Sequence, residues 1–105
     1  METDALETDT PPPHADSKHP IIWVRPNSNV QGVAGLLTSS IEEDQHIILR
    51  AIGAGAVNQA VKSIIQSRQQ LAGRGQDMFI RPGFVTVQGN DGNDVTAIVL
   101  HCLLS

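Results

Sequence analysis

The chain has 105 residues, a formal net charge of -4 and 17% charged side chains, which leaves room for one domain and excludes the uniformly basic surface of a strong nucleic-acid binder. Its single cysteine, Cys102, excludes an internal disulfide framework and suits a reducing compartment, so the expected location is cytoplasmic. No apolar run approaches the roughly 20 residues that cross a bilayer, and Met1 to Pro20 is acidic and proline-rich without a basic or apolar leader segment, so no membrane association or export is expected.

The charge divides unevenly along the chain. Residues 1–20 carry Glu2, Asp4, Glu7, Asp9 and Asp16 against Lys18, whereas residues 21–105 carry six cations and six anions. A stretch so polar, with Pro11, Pro12 and Pro13 in a row, buries too little apolar surface to offset chain entropy. Residues 1–19 are therefore expected to be a disordered tail, and residues 20–105 a neutral folded domain.

Ile21-Ile22-Trp23-Val24 is β-rich and ends at Pro26, which cannot donate to a sheet ladder. Trp23, inside this run, is expected in the core. Asn27, Ser28 and Asn29 offer caps for a helix whose apolar residues, Val30, Val33, Ala34, Leu37 and Ile41, follow helical spacing to about Asp44. His46 to Ile52 reads as a second strand, buried on at least one face.

Gly53-Ala54-Gly55-Ala56 then joins that strand to a second helix, with a stripe of Val57, Ala60, Val61, Ile64, Ile65 and Leu71. Gly73 and Gly75 are its expected terminators. Met78 to Gln88, interrupted at Pro82-Gly83, and Val95 to Leu104 are two further strands around the hairpin segment Gly89 to Asp94. The order is βαβαββ, an α/β domain.

The glycine turn is the most informative segment. Glycines between a strand and a helix permit a tight turn, and they can also aim the first helical N–H groups at an anion. Both readings stand on spacing alone. The turn lacks the third glycine of a dinucleotide fingerprint and the Gly-Lys-Ser/Thr of a phosphate-binding loop, which disfavours a nucleotide-dependent enzyme.

Arg25 and Arg50 lie near the ends of the first two strands. If those strands are parallel neighbours, both guanidinium groups can flank the turn. Lys62, farther along the second helix, is either a phosphate contact or a solubilising charge. His101 and Cys102 are adjacent on a strand and point to opposite faces, so they do not form a nucleophile and base pair. Asp91 and Asp94 fit turn chemistry better than a calcium loop. No catalytic residues, cofactor or metal are expected.

Asn27-Ser28-Asn29-Val30-Gln31-Gly32-Val33-Ala34-Gly35 followed by Ala51-Ile52-Gly53-Ala54-Gly55-Ala56-Val57-Asn58-Gln59-Ala60-Val61-Lys62 resembles the stage V sporulation protein S family over about residues 21–104. That family is similar in fold to Alba, an archaeal chromatin and RNA-binding protein. The resemblance implies an α+β two-layer, Alba-like sheet packed by two helices, and a homodimeric DNA- or RNA-binding regulatory protein. It also implies a site made of Arg25 and Asn27 before the first helix and Arg50, Gly53 and Gly55 around the turn; Asn58 and Lys62 on the second helix are added as candidate contacts beside it. Alba's long basic hairpin arm corresponds here to Gly89–Asp94, a short segment carrying two acids. An alternative function is a structural or regulatory protein-interaction module in development or cell division.

Overall fold

Six elements follow one another: β1 (Ile21–Val24), α1 (Val30–Asp44), β2 (His46–Ala51), α2 (Ala54–Ala72), β3 (Met78–Gln88) and β4 (Asp94–Leu104). They belong to a computed structural model that describes residues 19–105. The expected disordered tail, apart from His19, lies outside the described residues. The strands form one sheet in the order β1-β2-β4-β3, parallel between β1 and β2 and antiparallel elsewhere. The result is the α+β two-layer arrangement with the βαβαββ order expected.

Strand register sorts the side chains onto two faces. One face meets the helices, where Ile47 and Leu49 of β2, Leu100 and Cys102 of β4 and Met78 of β3 pack against Leu37 and Ile41 of α1 and Ile64 and Leu71 of α2. Full burial of each large aliphatic side chain contributes about 1.5–3 kcal/mol, so this layer supplies most of the cohesion. On the other face Ile48, Val85, Val87, Ala97 and Val99 form a second cluster, with Ile21 against it.

Several expectations are corrected. β3 runs unbroken through Pro82 and Gly83, whose register partners are Leu100 and Val99. This is possible because β3 is an edge strand, where a missing N–H on the outer side breaks no ladder. In α2 the buried face uses Ser63 and Ser67, while Val61 and Ile65 are exposed. The reason lies between the helices: Thr38 Oγ1 is 2.7 Å from Ser67 Oγ and donates to Gln70 Oε1 at 2.6 Å. Small hydroxyl residues permit that approach while satisfying one another, which a purely apolar stripe would not do. Finally, β2 ends at Ala51, and Ile52 is exposed in the turn.

Candidate functional site

The parallel pairing of β1 and β2 sets Val24 opposite Ala51, so the segments leaving these strands emerge at one edge of the sheet. After β1 the chain closes a tight turn: Ser28 N donates to Arg25 O at 3.0 Å, and Arg25 N donates to Ser28 Oγ at 2.8 Å. Pro26 and Asn27 occupy the corner. Asn29 then caps α1, its Oδ1 accepting from Gly32 N at 2.7 Å.

After β2, Gly53 takes φ +88° and ψ 159° and becomes the N-cap of α2, a backbone conformation essentially restricted to glycine. Gly55 lies so close to the first loop that a Cβ there would sit 3.3 Å from Pro26 Cβ. Gln59 Nε2 donates to Ser28 O at 2.9 Å and ties the helix to the same loop. The two segments therefore form one joined edge, and both proposed uses of glycine, tight turning and close approach, are present.

Both helices begin at this edge. The N-cap of α1 is supplied by a side chain, whereas Gly53 gives α2 no side-chain hydrogen bond, and no acid occupies the first turn of α2. The start of α2 thus combines outward amides with the positive end of the helix dipole. Arg25, Asn27, Gly53, Gly55, Asn58 and Lys62 are all exposed, with Asn58 and Lys62 one turn apart along α2.

Arg50 is placed elsewhere. It is 4% exposed, in a central strand on the sheet face opposite the helices, with its guanidinium carbon 5.6 Å from the centre of the Trp23 ring. It does not join Arg25 on the exposed edge, because Arg50 lies inside β2, flanked by β1 and β4, whereas Arg25 stands in the loop beyond the end of β1. Trp23, expected in the core, is 42% exposed. Its place in a four-residue edge strand is the sequence feature that would have signalled this.

The neutral charge of the domain resolves into separate regions. At the far end of the helices, Arg68 makes a two-pronged pair with Asp77 (2.8 and 3.1 Å), and Arg74 pairs with Glu42. The Arg68 hydrogen bonds, reinforced by the Met78 backbone N–H, hold the Asp77 carboxyl below its ordinary range. Two cations are thereby engaged away from the joined edge, while Arg25 stands at it and Lys62 lies about two turns along α2.

The hairpin is longer than its loop suggested. Ala51, the last residue of β2, pairs with Ile98, and β4 continues four residues further to Asp94 against β3. The arm consequently projects about 14 Å past the end of β2 at some 3.4 Å per residue. Its tip is acidic. Asp91 accepts from Asn93 N and Nδ2, both at 3.0 Å, and these bonds lower its pKa.

Three histidines also meet: His46 Nε2 is 2.9 Å from His101 Nδ1, and His19 stacks on His46 with ring centres 3.7 Å apart. Fifty-five residues separate His46 from His101 in sequence, so only the β2–β4 register reveals the pair. Cys102 faces the helix layer, and burial pushes its thiol up to about 12. No helix among the described residues is long and apolar enough to cross a membrane.

The fold is similar to that of Alba from Thermoplasma volcanium, at 21% identity and a TM-score of 0.55 over 81% of this chain and 98% of that one. The model of the family described as Stage V sporulation protein S matches residues 20–104, which contain every element and both loops of the joined edge. The chain belongs to the stage V sporulation protein S family.

Proposed function

We propose that this protein is a non-enzymatic, homodimeric regulatory protein of the sporulation type that binds nucleic acid through the joined edge. The observation that carries this reading is the contact between the Arg25–Asn29 loop and the Gly53–Gly55 turn, at 3.3 Å from Pro26 to the Cβ position of Gly55. It sets a side-chain cation, a polar corner and the start of a helix side by side. A phosphate fits that chemistry because it accepts from backbone N–H groups and from Arg25 together.

Arg25, Asn27 and the amides around Gly53 and Gly55 form the core of the contact, and Asn58 and Lys62 extend it along α2. Arg50 acts indirectly, by packing against Trp23. With few cations at the edge, binding is modest and strongly weakened by salt. Dimerisation is supported by Phe84, 79% exposed on the helix-facing side of β3, where the two helices pack chiefly on β1, β2 and β4. Such a side chain is a natural contact for a second copy.

Fluorescence anisotropy of labelled oligonucleotides at low salt tests the reading. Arg25→Ala with Lys62→Ala should weaken binding and flatten its salt dependence. Absence of binding to any nucleic acid, or a double variant that binds like the parent, would refute it. The acidic hairpin tip favours a second reading, a protein-interaction module, for which capture of a protein partner after nuclease treatment, together with no oligonucleotide binding, is the distinguishing result.

A further inference from the structure

The sheet face opposite the helices displays a sorted set of side chains. Register places Trp23, Arg50, Val99 and Gly83 in one row, and Ile21, Ile48, His101 and Arg81 in the next. Phe79, two positions before Arg81, shares this face and is 65% exposed. At these outward positions on all four strands, the ionisable residues are His46, Arg50, Arg81 and His101. No carboxylate is among them, although the domain as a whole has as many acids as strong bases.

Trp23 is held by the Arg50 guanidinium beneath its ring, an arrangement that fixes the indole and favours the planar cation and ring together. It lies two residues before Arg25, the first residue past the end of β1, about 7 Å away at strand spacing. One nucleotide can therefore present its phosphate to Arg25 and its base to Trp23.

From these observations we infer that the ligand of this protein is single-stranded nucleic acid, with an unpaired base stacked on Trp23 while the joined edge holds the backbone. This rests on the nucleic-acid reading above and specifies its substrate class. A duplex cannot use the stacking platform. Four strands about 4.8 Å apart span roughly 14 Å between the outer two, wider than the ≈ 12 Å major groove, and paired bases inside a duplex cannot reach a ring on a sheet face. The acidic tip of the arm, Asp91 and Asp94, also repels the phosphates of a second strand. Aromatic stacking accepts any base, so neither DNA nor RNA is excluded by the platform.

The chain has one tryptophan and no tyrosine, so its intrinsic fluorescence reports on Trp23 alone. The full protein is titrated with oligo-dT, oligo-U and a duplex DNA of equal length, following label anisotropy and tryptophan emission in parallel. Both single strands should quench the emission and bind at least about fivefold tighter than the duplex. Trp23→Ala and Trp23→Leu should lose about 5- to 150-fold, the range for one stacked base, while Trp23→Phe keeps most of the affinity. Melting curves of the three variants separate lost stacking from lost folding, because Trp23→Leu retains apolar bulk without an aromatic face.

Binding with unchanged emission, or equal affinity in the folded Trp23→Leu and parent proteins, overturns the platform and leaves the edge reading intact. Preference for duplex overturns it equally. Failure of every oligonucleotide to bind overturns both.

Discussion

Replacing Gly53 by alanine separates backbone strain from packing. The residue sits at φ +88° and ψ 159°, and a Cβ built on it meets no heavy atom within 4 Å. Any loss of stability must then come from the dihedral angles, in a region that costs a non-glycine residue roughly 1–3 kcal/mol. In a domain of this size each 1 kcal/mol moves Tm by about 4–8 °C, so Gly53→Ala should melt at least about 4 °C lower. Gly35→Ala provides the opposite sign. Gly35 is inside α1 and its Cβ position is also open, so alanine there should add about 0.5–1 kcal/mol through helix propensity. Thermal and urea unfolding followed by far-ultraviolet circular dichroism measures both. A Gly53→Ala protein that melts with or above the parent refutes the claim that the turn requires a glycine conformation, and a Gly35→Ala loss matching that of Gly53→Ala refutes the separation of strain from packing.

Loss of the Asn29 cap in Asn29→Ala should cost about 1 kcal/mol in urea unfolding, since its hydrogen bond to Gly32 N has no replacement on alanine. The lowered pKa of Asp77 gives a pH-dependent contribution that is present above its unfolded value of 3.8 and is lost as pH falls through the folded one. The Tm gap between the parent and Asp77→Asn should therefore be widest above pH 5 and close under acid; a gap that is constant with pH contradicts the Arg68–Asp77 pairing. Cys102 behaves in the opposite sense: with its pKa pushed up to about 12 from 9.0, its contribution is intact below pH 9 and is lost as pH climbs from there. At pH 8 the native thiol should react with a disulfide reagent only as fast as the domain opens, whereas rapid reaction without denaturant would show that the β4 core position is accessible.

The apolar periodicity of α1, the β-branched run of β2 and the glycine pair after it determined the βαβαββ order, because each is a local signal read over one element. Parallel pairing of β1 and β2, which brings the Arg25 loop to the glycine turn, followed from connectivity, and six of the seven named site residues do lie exposed at that edge or on α2. Arg50 does not, because it lies inside the central strand β2 and packs against Trp23, rather than in a loop beyond the strand ends. The exposure of Trp23 likewise follows from β1 being an edge strand with no layer of helices on its outer side. Ser63 and Ser67 displaced Val61 and Ile65 from the buried face of α2 because the approach of α1, through Thr38, rewards small hydroxyl residues, and helix propensity carries no record of a neighbour 29 residues away. The reach of the β3–β4 arm was hidden in the same way: its turn is local and legible, but how far it projects is set by where β2 stops pairing with β4. The sequence by itself thus determined the elements and the joined edge, while the tertiary register decided which face each side chain serves, since a strand turns consecutive residues to opposite sides and only its partners fix which side is inward.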